Sequence, residues 1–148
     1  MADVAFYHLT RKPLETALPE LLEKVVERGM RAVVRAGDED RVRGLSELLW
    51  TYRKDSFLPH GWAEDGHGER QPVWLTTAED NPAGATVLLL VDGVAASDLD
   101  GYDRCLDLFD GRDEDAVAAA RDRWRAARAG GHGVTYWKQG ERGWEKGA

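Results

Sequence analysis

The sequence predicts a single three-layer α/β/α domain with a mainly parallel, Rossmann-like sheet and no nucleotide-binding loop. Three observations lead there. Strand-length apolar segments alternate with stretches of helical periodicity, a pattern that calls for parallel strands joined by crossover helices. Val87-Leu88-Leu89-Leu90-Val91 is apolar at every position, as in a strand buried on both faces. A length of 148 residues suits one hydrophobic core better than two.

Val4-Ala5-Phe6-Tyr7-His8-Leu9 reads as the first strand. Pro13 can open a helix, and Leu14, Leu18, Leu21, Leu22, Val25 and Val26 carry the helical period to Gly29, a C-terminal cap. Met30 to Ala36 reads as the second strand. Asp38 is the N-cap of a second helix, with Val42, Leu45, Leu48 and Leu49 on one side and Trp50 after them. Between Tyr52 and Gln71 the periodicity fails, and Gly61, Gly66 and Gly68 mark a long loop. Pro72 to Thr76 is a third strand and Thr86 to Val91 the central one. Arg104 to Phe109 alternates and fits either a strand or a short helix. A last helix runs from about Asp113 to Arg128, opened by Asp113, Glu114 and Asp115 and ended by Gly130-Gly131. Val134 to Trp137 is the final predicted strand. The domain is expected over residues 1–138, with 139–148 as a flexible polar tail.

Composition excludes several classes of function. The net charge of −7 argues against a general nucleic-acid coat, since phosphate binding rests on many Lys and Arg contacts. No apolar run is long enough to span a membrane, and the N-terminus lacks the basic start and apolar stretch of a secretory signal. A cytoplasmic protein is expected, and the single Cys105 fits a reducing compartment. The turn after the first strand, His8-Leu9-Thr10-Arg11-Lys12-Pro13, contains no glycine, so both the Walker loop and the dinucleotide fingerprint are missing there. His8, His60, His67 and His132 do not have metal-motif spacing, and no metal or cofactor is expected. Asp38, Glu39, Asp40, Asp80 and Asp92 read as caps and turn residues, and Cys105 as a buried small hydrophobe. No catalytic triad or carboxylate pair stands out, so no enzymatic activity is expected.

Two features remain. Met1 to Asp115 holds 24 acids against 13 bases, whereas Ala116 to Lys138 holds the single acid Asp122 against Arg121, Arg123, Arg125, Arg128 and Lys138. At helical spacing Arg121, Arg125 and Arg128 form one stripe. Trp124 and Val117 lie at its edge, beside an apolar strip of Ala116, Ala120 and Ala127. Such a face suits an anionic partner, though it would also suit a solvated helix with Trp124 turned into the core. The second feature gathers Leu49-Trp50-Thr51-Tyr52, Phe57-Leu58-Pro59-His60 and Trp62 around a glycine-rich loop, as a roof to the core or as a partner-binding patch.

At these features the chain resembles the chi subunit family of the bacterial DNA polymerase III holoenzyme. The resemblance spans roughly Ala5 to Lys138. It is carried by Phe6-Tyr7-x-Leu9, by Leu49-Trp50 followed by Ser56-Phe57-x-Pro59-His60, and by Ala120-Arg121-Asp122-Arg123-Trp124-Arg125 leading to Trp137-Lys138. It implies a Rossmann-like fold without nucleotide chemistry, in a subunit that links the clamp-loader complex to single-stranded DNA-binding protein (SSB). It further implies that SSB's acidic C-terminal tail, which ends in Pro-Phe with a free carboxylate, docks on Arg121, Trp124 and Arg125; Arg128 and Val117, on the same helix face, are expected to join that site. Trp124-Arg125 stands where the family pattern has Tyr-Lys, and keeps both ring and charge. A second family surface binds the psi subunit or a repair helicase, and Trp50, Phe57, Leu58 and Pro59 match it. DNA would then be met only indirectly. Two other functions compete: a direct single-stranded nucleic-acid binder that uses Trp124, Trp137 and the arginines, and a small phosphate-handling enzyme on a doubly wound sheet.

Overall fold

The computed structural model describes residues 2–52, 58–140 and 143–147. Seven strands form one sheet in the order β3-β2-β4-β5-β1-β6-β7. They are β1 (Asp3–Leu9), β2 (Ala32–Arg35), β3 (Val73–Thr76), β4 (Val87–Leu90), β5 (Arg104–Asp110), β6 (Gly133–Gly140) and β7 (Gly143–Lys146). All neighbouring pairs are parallel except β6 and β7. The helices are α1 (Leu14–Glu27), α2 (Glu39–Thr51) and α3 (Glu114–Ala129). The fold is thus the mainly parallel three-layer α/β domain that the sequence predicts.

Alternation along each strand divides the core in two. On one side Ala5, Tyr7, Val34, Leu75, Leu89 and Leu108 meet the apolar faces of α1 and α2. On the other, Phe6, Val33, Leu88, Cys105 and Phe109 meet Ala120 and Ala127 of α3. β4 lies inside the sheet between β2 and β5, and its four residues are buried, two on each side.

Local chemistry places the helix ends. The Asp38 carboxylate accepts from Arg41 N at 2.7 Å and starts α2. Asp113 does the same for α3, accepting from Asp115 N at 2.9 Å, with Glu114 and Asp115 placed against the helix dipole. Beyond α3, Gly131 takes φ +82°, a conformation that a side chain would strain, and lets His132 N reach Ala127 O at 3.1 Å.

Arg104 to Asp110 is a strand, the first of the two readings that the sequence allows. One segment differs from expectation. After Lys138, where the sequence predicts a loose tail, β6 continues to Gly140 and the chain returns as β7, with Gln139 opposite Trp144. Trp144 packs edge-on against Tyr7 at 4.7 Å, and that tertiary contact gives a short polar segment its strand.

Candidate functional site

α3 packs over β5, β1 and β6, and a cleft opens between the helix and the sheet. A cavity of about 260 Å³ lies in this cleft, walled by Val117, Ala120, Arg121 and Trp124 from the helix. Its floor is Phe6 and His8 of β1, Phe109 of β5 and Tyr136 of β6. Trp124 is half-buried and leans on Phe6, with ring centroids 5.5 Å apart. The tryptophan is therefore both part of the core and a wall of the cleft.

The floor is polar only where it is already satisfied. His8 Nε2 lies 3.3 Å from the Gly111 carbonyl, which can only accept, so Nε2 carries the proton and Nδ1 accepts from the Tyr136 hydroxyl. Burial pushes the Tyr136 hydroxyl above its ordinary pKa, with Arg121 pulling it partly back, so the phenol stays neutral near pH 7. An apolar ring entering the cavity would leave no polar group of His8 or Tyr136 stranded.

The arginines of α3 play different parts. Arg121, Arg125 and Arg128 are exposed on one stripe. Arg125 lies 3.2 Å from Asp122, a surface pair with both side chains about three-quarters exposed (74% and 77%), and weak for that reason. Arg123 faces inward instead and grips the buried Asp107 with two bonds of 2.6 and 3.0 Å. It adds nothing to the basic stripe. Desolvation raises the Asp107 carboxyl above the usual carboxylate range despite that fork. The same fork on a partly exposed acid has the opposite outcome: Arg35 holds Asp98 with two bonds of 2.8 Å and lowers its pKa.

The second surface is only partly described. Trp50 is 55% exposed on α2, and its ring meets His60 edge-on at 5.0 Å. His60 is buried: Nδ1 lies 2.8 Å from the Leu58 carbonyl, and Nε2 lies 3.1 Å from the Ser46 carbonyl and 3.2 Å from its hydroxyl, contacts that tie the loop to α2. Pro59 is half-buried. Leu58 is only 3% exposed and packs in the core, so it supports such a surface from beneath and cannot itself meet a partner. Phe57 lies outside the described residues.

The first turn, where a doubly wound enzyme would cradle phosphate, is occupied by the protein itself. The amides of Thr10, Arg11 and Lys12 all donate to one atom, Gln139 Oε1, at 2.8, 2.7 and 2.9 Å. Among the described residues no group of His, Cys, Asp and Glu is arranged to hold a metal. No helix among them is long and apolar enough to cross a membrane. Burial raises the Cys105 thiol far above its ordinary pKa, which keeps it protonated and a poor nucleophile. Asp80 accepts from Trp74 Nε1 at 3.2 Å and from Thr76 Oγ1 at 2.6 Å, while Asp92 pairs with Arg41 at 2.7 Å; both serve turns. Phe6, His8, Phe109 and Tyr136 are the site residues that sequence reasoning missed. Only the alternation within each strand hinted at them.

Residues 1–135 match the family described as "DNA polymerase III chi subunit, HolC". A "Probable DNA polymerase III subunit chi" of Rickettsia prowazekii is 30% identical over 91 residues, 62% of this chain and 55% of that protein. The chain thus spans little more than half the length of this relative. A "DNA polymerase III subunit chi" of Pseudomonas aeruginosa is 29% identical over 113 residues, 76% of this chain and 77% of that protein. Most of β6 and all of β7 lie beyond the residues matched to the family.

Proposed function

The chain belongs to the DNA polymerase III chi subunit family, and from that premise we propose that it is a non-catalytic, cytoplasmic replication adaptor. It joins the clamp-loader complex to the acidic C-terminal tail of SSB and meets DNA only through that partner. The cavity between α3 and the sheet is the observation that carries this reading. An engineered apolar cavity of about 150 Å³ suffices for benzene, so 260 Å³ accommodates the terminal phenylalanine ring. The ring lies among Phe6, Phe109, Val117 and Trp124. Arg121, in the cavity wall, takes the terminal carboxylate with Arg125 one helical turn away, once Arg125 gives up its weak pair with Asp122. Arg128 extends the positive stripe toward the acids upstream.

A second protein partner, the psi subunit or a repair helicase, is assigned to the surface around Trp50, with Pro59 at its edge and the matching Phe57. The physical case there is an exposed tryptophan held in place by a buried histidine.

The competing readings fare worse. A single-strand platform needs its rings on one surface, but Trp124 packs with Phe6 and Trp137 with Tyr7, on opposite faces of the sheet. A phosphate-handling enzyme needs a vacant first turn, and Gln139 takes up its three amides.

Titration of the full chain with an SSB-tail peptide and with a single-stranded oligonucleotide tests the proposal. The peptide should bind, and Trp124→Ala or Arg121→Ala should weaken it roughly ten- to a hundredfold with the fold intact. Preferred binding of the oligonucleotide, or a peptide affinity indifferent to both substitutions, would overturn it.

A further inference from the structure

The two edges of the sheet differ. At β3 the edge is closed by a loop residue: Gly61 N donates to the Val73 carbonyl at 3.0 Å, and the Gly61 carbonyl accepts from Leu75 N at 2.9 Å. At the other end β7 is the last strand, and among the described residues no segment pairs with its outer side. Its inner side is fixed by Gly147 N, which donates to the Tyr136 carbonyl at 2.7 Å. Antiparallel bonding alternates, so Gly143 and Glu145 also turn their backbone groups to β6, while Trp144 and Lys146 turn theirs outward. Such an edge is a template for another strand. Its side chains set the terms. Trp144, opposite Gln139, packs on Tyr7 at the α1 face, and Lys146, opposite Trp137, shares that face. Glu145 points to the α3 face, over Gly140. Both charged side chains are exposed.

We propose that β7 takes up an antiparallel strand from a different protein, whose residues read acid, base, apolar from its N-terminal side and so meet Lys146, Glu145 and Trp144 in turn. Residues directly opposite in an antiparallel pair share a face, so the acid meets Lys146 on the α1 face, the base meets Glu145 on the α3 face, and the apolar residue extends the Trp144–Tyr7 contact. A second copy of this chain fits less well. Two copies must match outward-facing residues with outward-facing ones. Centred on Glu145 that pairing sets two glutamates face to face, and centred on Lys146 two lysines; like charges directly opposite are destabilising. Centred on Trp144 it sets Glu145 against Gly143 and answers neither charge. The charges on this short strand thus select against its own copy and for a complementary partner. The proposal does not depend on tail docking at α3, and most of the hairpin lies beyond the residues matched to the family.

Two end-blocked synthetic peptides test this: Thr-Glu-Arg-Ile-Thr and its charge-exchanged form Thr-Arg-Glu-Ile-Thr, each titrated into the isotopically labelled full chain and followed by NMR. Wild type should bind the first roughly five- to tenfold more tightly. The Trp144 and Lys146 amides should shift and exchange more slowly on binding. Exchanging the charges of the edge, Glu145→Lys with Lys146→Glu, should reverse the preference. Lys146→Pro removes one outward N–H and leaves the bonds to β6 in place, so it should weaken both peptides while the affinity for an SSB-tail peptide stays as in wild type. Failure of wild type to bind either peptide, a preference that survives the charge exchange, or shifts centred away from β7 would overturn the proposal. So would self-association through β7 in sedimentation.

Discussion

Replacing Gln139 with alanine should unfasten the turn between β1 and α1. One oxygen, Gln139 Oε1, accepts from three consecutive amides at 2.7 to 2.9 Å, and the side chain is only 9% exposed. A typical intramolecular hydrogen bond contributes about 0.5–1.5 kcal/mol net, and stranding a buried donor costs more. Three bonds share one acceptor here, and water can reach part of the turn, so the expected loss is about 2–3 kcal/mol. For a domain of this size that lowers Tm by roughly 5–10 °C. Thermal and urea unfolding followed by circular dichroism would measure it. Amide exchange at Thr10, Arg11 and Lys12 should quicken selectively. Gln139→Glu keeps an acceptor in place at the positive end of α1. Hydrogen bonds to the ionised form would lower its folded pKa, so its contribution should be present above the ordinary carboxylate pKa and fade as pH falls below it. A loss under about 0.5 kcal/mol for Gln139→Ala, with those amides still protected, would refute the reasoning.

Other outcomes follow from the buried charges and the second surface. Asp98→Ala strands Arg35, which is 1% exposed, and should cost about 3–5 kcal/mol in denaturant unfolding. Because Arg35 lowers the Asp98 pKa, the stability that this pair contributes should be present at neutral pH and lost as pH falls below the ordinary carboxylate pKa. Asp107 should behave with the opposite sign: its raised pKa means that stability declines as pH climbs through the ordinary carboxylate range. Arg123→Met alone should therefore destabilise by about 3 kcal/mol, while Asp107→Leu with Arg123→Met should equal or exceed wild type. Trp50→Ala should leave the melting temperature within a few degrees, since the ring is more than half exposed, yet reduce capture of the psi subunit or helicase. Unchanged capture would remove Trp50 from that surface.

The fold was legible wherever burial writes a period into the chain. β4 is apolar throughout because both faces are covered, and α1 and α2 show their core faces at helical spacing. β5 was ambiguous because one of its buried positions is Asp107, whose partner Arg123 arrives from a distant helix. β7 was illegible: Gly-Trp-Glu-Lys has no strand signature apart from its pairing with β6 and the contact of Trp144 with Tyr7. The site divides in the same way. Arg121 and Trp124 were readable from one helix, whereas Phe6, His8, Phe109 and Tyr136 come together only because β5, β1 and β6 are neighbours. Arg123 misled for a related reason: a count of charges along the sequence cannot tell an exposed guanidinium from one spent on a buried acid.

Docking of a free C-terminal carboxylate beside Arg121 and Trp124 is most directly tested by calorimetric titration of the full chain with two SSB-tail peptides. One keeps its terminal carboxylate and the other carries it as an amide. The account predicts that wild type binds the free acid at least tenfold more tightly, about 1.4 kcal/mol, and that Arg121→Ala removes most of that preference. Equal affinity of wild type for the two peptides would contradict it.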